Sequence, residues 1–239
     1  MQPAANDSKR VTPSIALVAH VVPFIAWLLL MAVLGEATAV KYALRAAFCF
    51  ALLLLLRPWR WYAPFRGKHV LPSVGVGVLV FGAWIALETD FAARWSGLHG
   101  LYLLLGHLPP WKMAELGADT TYAPEVCGWP LTIVRILGSG FVISVIEEFF
   151  WRGCIYRFLI DRNFLSVDLG KYDSLMFLLV VIAFGLEHQR WIAGIVAGYA
   201  YGRLLLQTRD VWAACIAHAV TNVLLGVYVV WSGKYAFWG

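Results

Sequence analysis

The chain has 239 residues, of which 61% are hydrophobic and only 14% charged, with a formal net charge of +5 at neutral pH. Its mean hydropathy is +0.73; a soluble domain carries about a quarter charged residues, so most of this chain is solvated by lipid or by its own helices. The positive charge sits mainly in short loops and forms no basic face, which excludes nucleic acid as a partner, and four cysteines without close pairing (Cys49, Cys127, Cys154, Cys215) argue against a disulfide framework or a zinc knuckle.

In chain order, apolar runs cover Ser14–Leu34, Val40–Leu56, Val70–Leu87, Leu131–Ile160, Ser174–His188, Trp191–Leu206 and Val211–Trp231. Each forms a helix able to cross, or nearly cross, a hydrocarbon core of about 30 Å. Only helices satisfy their backbone groups in lipid at these lengths, so the expected fold is all-α. It is a polytopic bundle of about seven to eight membrane helices, in a single integral membrane domain over residues 1–239. Lys9 and Arg10 precede the first run, and Ala37-Thr38-Ala39 resembles a signal-peptidase site. The run is longer than the apolar core of a signal peptide, about 7–15 residues, and is read as a retained span. Pro23 predicts a kink within it. The fifth and sixth runs are short and joined at His188–Trp191, which leaves tilted and re-entrant arrangements open.

Loop cations set the expected orientation. Lys9, Arg10, Arg57, Arg60, Arg66, Lys68, Arg157, Arg162, Lys171, Arg203 and Arg209 share one side if the N-terminus is cytoplasmic. The segment from Glu88 to Pro130, with Asp90, Glu115, Asp119 and Glu125, then lies outside. The expected location is a bacterial inner membrane. Trp59, Trp61, Tyr62, Trp212, Trp231 and Trp238 read as an interfacial aromatic belt. Gly194, Gly198 and Gly202 share one face of the sixth span, where small residues let a neighbouring helix approach.

The fourth run contains Glu147, Glu148 and Arg152. A charge at mid-membrane costs roughly 3 kcal/mol, so three together point to function. Glu148 and Arg152 are one turn apart with the acid first, the favourable order for a pair. Glu147 points about a quarter-turn away and stays free to hold or exchange a proton. His188 closes the fifth run, with Phe184 one turn back; His218 and Asn222 share a face of the seventh. Glu147 lies about ten residues, or roughly 15 Å, from Arg157, and His218 about eight, or roughly 12 Å, from Asp210. Both depths fall on the cytoplasmic half, whereas His188 fits nearer the other end.

Glu147-Glu148-x-x-x-Arg152, Phe184-x-x-x-His188 and His218-x-x-x-Asn222 together resemble the three signature motifs of the CPBP family, also called Abi, of CAAX-processing and bacteriocin-processing intramembrane endopeptidases. The resemblance covers roughly Leu131 to Trp231, the motif-bearing core. The stretch from Phe184-Gly185-Leu186-Glu187-His188 to Ala236-Phe237-Trp238 also resembles a bacterial CAAX protease-related branch associated with exosortase systems. The resemblance implies hydrolysis of a peptide bond in a membrane-embedded or membrane-associated protein or peptide. Glu147 and His188 would activate water, His218 and Asn222 would stabilise the oxyanion, and Glu148, Arg152 and Phe184 would support the site. The residues agree with these roles, since a carboxylate with a neutral imidazole accepts a proton from water and N–H donors stabilise an oxyanion. Glu147, His188 and His218 could also form a zinc site, but no His-Glu-x-x-His spacing is present, and the reading favours no cofactor. Gly138-Ser139-Gly140 resembles a rhomboid nucleophile motif only faintly. The rival readings are a non-catalytic membrane scaffold and a proton-relay transporter, the latter disfavoured by the lack of an inverted repeat.

Overall fold

The computed structural model describes residues 13–35, 38–88, 94, 96–106 and 120–238. Lys9, Arg10, Ala37, Asp90, Glu115 and Asp119 lie outside the described residues. Every regular element among the described residues is helical. All seven apolar runs form helices: α1 Pro13–Val33, α2 Ala39–Leu56, α3 Val70–Ala86, α5 Trp129–Ile160, α6 Ser174–Leu186, α7 Trp191–Thr208 and α8 Val211–Ser232. Between α3 and α5 lie a helix the hydropathy pattern does not predict, α4 Ser96–Leu105, and a single turn at Pro124–Cys127.

Local chemistry sets the boundaries. The side chains of Thr38, Asp173 and Asp210 accept hydrogen bonds from backbone N–H groups in the first turns of α2, α6 and α8, where no intrahelical acceptor exists. Arg57 and Arg209 end α2 and α7 in the left-handed conformation, donating their N–H groups to Leu53 and Leu205.

Among the described residues, five helical stretches are long and apolar enough to cross a membrane: Ile15–Val33, Ala39–Trp61, Gly67–Ala86, Trp129–Ile160 and Val211–Ser232. Of the seven to eight expected spans, five meet that measure of length and composition among the described residues. Helix α6 has 13 residues, about 20 Å, which is short of the hydrocarbon thickness. It instead packs along α7 as a hairpin. The outer faces of the bundle are apolar, with Leu71, Val33 and Leu55 largely exposed, as a lipid-facing surface requires.

Helix α8 is the inner column, packed against α3, α5 and α7. The glycines of α7 admit α6 closely: a Cβ on Gly198 would lie 3.1 Å from the Phe184 ring, and one on Gly202 would lie 2.7 Å from Phe177. Helix α5 is not uniform. Gly138–Ile143 and Phe149–Ile155 are π-helical, and the ordinary α-helical segment Ser144–Glu148 lies between them. Such widened turns rotate the side chains that follow, and they recur at functional sites.

The two ends of the bundle differ. At one end, Tyr62 donates to the Gly153 carbonyl, Trp212 donates to Ala63, and Arg209 lies 3.7 Å from Asp168. This end gathers the cationic loops after α2, α5 and α7. At the other, Arg190 pairs with Glu88, Trp191 donates to Leu105, and Arg135 donates to Trp238. Two residues expected in an aromatic belt turn toward the bundle, Tyr62 half-buried and Trp238 buried. Tyr62 bridges His20 and Gly153, and Trp238 is buried against Tyr122 with its carbonyl taken by Arg135. Trp231 is 83% exposed, as a belt residue is. All four cysteines are free.

Candidate active site

A cavity of about 530 Å³ is lined by Glu147 from α5, Phe184 and His188 from the end of α6, and His218 and Asn222 from α8. Its walls continue to Leu34, Thr38, Arg190 and Trp238, at the end opposite the cationic loops. His188 reaches the same cavity as Glu147 and His218 for a structural reason. Helix α6 stops at Leu186, and His188 follows in a turn closed by its own N–H to the Gly185 carbonyl.

Glu148 is the hub of the charged cluster and is fully buried. Its Oε1 accepts from Arg152 Nη1 at 3.1 Å and from His218 Nδ1 at 2.9 Å. Arg152 is tied further: Nη2 donates to the Gly198 carbonyl at 3.2 Å, and the guanidinium lies 4.1 Å over the Phe184 ring. The expected Glu148–Arg152 pair is present, and the pattern did not reveal that His218 shares it. An ionised carboxylate only accepts, so Nδ1 of His218 carries a proton and Nε2 faces the cavity. Tyr201 stacks on the same imidazole, 4.9 Å between ring centroids.

Glu147 is buried as well, with Oε2 lacking a hydrogen-bond partner among the described residues. That oxygen lies 3.8 Å from His218 Nε2, too far for a direct hydrogen bond. His188 Nδ1 lies 2.8 Å from the Phe184 carbonyl, which can only accept. The proton is therefore on Nδ1, and the Nε2 lone pair is left uncommitted. Phe184 packs 4.8 Å from the His188 ring and 5.9 Å from that of His218, holding the two apart.

Asn222 does not pair with His218. Its Nδ2 donates to the Ser139 carbonyl at 3.0 Å, which uses one of the two amide protons. The Ser139 hydroxyl is turned into its own helix, donating to Ile136. Glu187, which the motif reading passed over, also lines the cavity, and its Oε2 accepts from Trp151 Nε1 at 2.9 Å. A carboxylate next to a motif histidine at the end of an apolar run was the available signal. Tyr201 carried none. Among the described residues, no group of three or more His, Cys, Asp or Glu side chains is placed as a metal site.

Residues 129–224 match the family described as type II CAAX prenyl endopeptidase Rce1-like. The matched stretch contains every motif residue above. No curated protein and no solved structure matches the chain.

Proposed function

We propose that this integral membrane protein, of the CPBP family through residues 129–224, is an endopeptidase that hydrolyses a peptide bond of a membrane-embedded or membrane-associated protein or peptide inside its cavity. The observation that carries the reading is the buried, unpartnered Glu147 Oε2 beside His218 Nε2, in a cavity also lined by His188 and Asn222. An unsatisfied buried carboxylate oxygen costs at least about 1–3 kcal/mol. A scaffold would gain by losing it; a hydrolase needs it.

In this reading a water lies between Glu147 and His188. Glu147 takes its proton, assisted by the His188 Nε2 lone pair, the hydroxide so formed attacks the carbonyl carbon, and Glu147 hands the proton to the amine as the C–N bond breaks. The carbonyl oxygen becomes an oxyanion that faces the second amide proton of Asn222 and Nε2 of His218. Glu148 fixes the His218 ring through Nδ1, and Nε2 donates a hydrogen bond to the oxyanion from a ring protonated by solvent before the substrate enters, a proton the ring keeps throughout. Arg152 and Glu148 fix the ring and do not touch the substrate. The reading takes the reaction as metal-independent, with Glu148 and the Phe184 carbonyl fixing the two imidazoles through their Nδ1 atoms.

The cationic-loop end, by the positive-inside rule, faces the cytoplasm of a bacterial inner membrane. The branch associated with exosortase systems is proposed on the resemblance carried by the stretch ending at Ala236-Phe237-Trp238. The test is Glu147→Gln in reconstituted protein, read by mass spectrometry of membrane peptides. Loss of cleavage products with normal insertion is expected, and unchanged products would overturn the assignment.

A further inference from the structure

Two arginines line the same cavity far from the motif residues, Arg45 on α2 and Arg135 on α5. Both are half-buried, and the Nε of each is buried without a hydrogen-bond partner among the described residues. Their surroundings are aromatic. Arg45 lies 3.8 Å over the Trp27 ring, and Arg135 lies 4.5 Å over Tyr42 and 5.0 Å over Tyr122. Among the described residues, arginine–carboxylate pairs form at Arg152, Arg190 and Arg209, and neither Arg45 nor Arg135 has one. Arg135 Nη2 donates to the Trp238 carbonyl at 3.1 Å, which leaves its charge without a carboxylate and its buried Nε without a partner among the described residues. Here two guanidiniums share the Tyr42 ring, at 5.5 Å and 4.5 Å, and belong to residues that line one cavity.

We infer that Arg45 and Arg135 form an anion subsite that binds an acidic group of the peptide substrate within the cavity. The inference rests on the endopeptidase reading for its substrate and on the arginine pair for its specificity. The planar guanidinium donates in a fork that matches a carboxylate, and the aromatic rings pre-set its plane. A peptide carboxylate fits better than a lipid phosphate, because the pair lies inside the cavity that holds Glu147 and not on the outer apolar faces. Arg135 precedes Glu147 by about 18 Å of helical rise, a gap bridged by about five or six residues of extended peptide. The subsite therefore reads an acidic group within about six residues of the cleaved bond. It also communicates with the reacting end, since Ser139, one turn beyond Arg135, holds Asn222 through its carbonyl.

The test uses full-length protein in neutral-lipid nanodiscs, carrying Glu147→Gln so that binding is read without turnover. The probes are apolar peptides of about ten residues with a neutral fluorophore and one aspartate, moved stepwise, each paired with its asparagine twin. At the favoured position the aspartate peptide should bind about tenfold more tightly than its twin, the value of one charge-assisted contact. In Arg45→Gln/Arg135→Gln protein that ratio should fall to about one. Arg45→Lys/Arg135→Lys keeps the charges but loses the fork, and should retain only part of the ratio. If the glutamine variant does not fold, acetate competition on the parent protein decides: it should lower the ratio toward one, and an unchanged ratio overturns the subsite. Equal binding of the twins at every position overturns it too, as does loss of anionic-lipid retention in the double variant with the peptide ratio intact, the sign of a headgroup site. Failure of the endopeptidase reading is seen separately, as absent cleavage by protein with Glu147 restored.

Discussion

Replacing Arg152 with alanine should be among the most destabilising single changes in the chain. The guanidinium makes a 3.1 Å bond to Glu148 and a 3.2 Å bond to the Gly198 carbonyl, and it covers the Phe184 ring. Removing it leaves Glu148, fully buried, with only His218 as a donor among the described residues. Breaking a buried pair by deleting one partner costs about 3–5 kcal/mol, chiefly for the stranded charge. For a chain of this size that corresponds to a fall in Tm of about 10 °C. Thermal unfolding in detergent can be followed with a thiol-reactive dye, because Cys49, Cys154 and Cys215 are free and buried until the bundle opens. The double variant Glu148→Gln/Arg152→Met removes the stranded charge and keeps an acceptor for His218, so it should recover about half of the loss or more. A Tm for Arg152→Ala within about 2 °C of the parent, or a double variant worse than the sum of the singles, would refute the buried-pair reasoning.

Other substitutions separate chemistry from packing. Asn222→Ala should lower kcat by about 10²–10³, as loss of an oxyanion donor does. Its stability should fall by only about 1 kcal/mol, the worth of the bond to Ser139; a normal kcat would remove Asn222 from the oxyanion role. Gly198→Leu should force α7 away from Phe184 and Val181 and lower stability by about 1–3 kcal/mol, read in the same unfolding assay. Trp151→Phe removes the hydrogen bond to Glu187 and should change kcat through the loosened carboxylate, while unchanged kinetics would confine Glu187 to packing. If water activation needs no metal, elemental analysis should find no stoichiometric zinc and phenanthroline should leave the rate unchanged; one zinc per chain with chelator inhibition would reverse that proposal.

The helices were legible because lipid leaves the backbone no alternative to bonding within each segment. The boundaries at Ala39, Val70, Ser174 and Val211 follow apolar onset and capping residues that can be read directly. The Glu148–Arg152 pair was equally legible, being one turn apart on a single helix. Helix α4 was not, because its apolar stretch is short and lies in a segment of mixed composition. The π-helical turns of α5 were not either, since Gly138-Ser139-Gly140 and Gly153 are compatible with an unbroken helix and only contacts with Tyr42, Val223 and Tyr62 accompany the local change.

Amino-acid order alone determined a multi-helix membrane protein with acid, imidazole and amide groups sunk in three of its helices. Periodicity says which side of a helix is polar, and it says nothing about which neighbour that side meets. Only packing decided that Glu148 would orient His218 across 70 residues of chain, that α6 would end short enough to turn His188 inward, and that Arg45 and Arg135 would share one cavity with Glu147. Those outcomes depend on the close approach of α6 to α7 and of α8 to α5. Side-chain volumes summed over the whole bundle set that approach, and no local stretch of residues contains it.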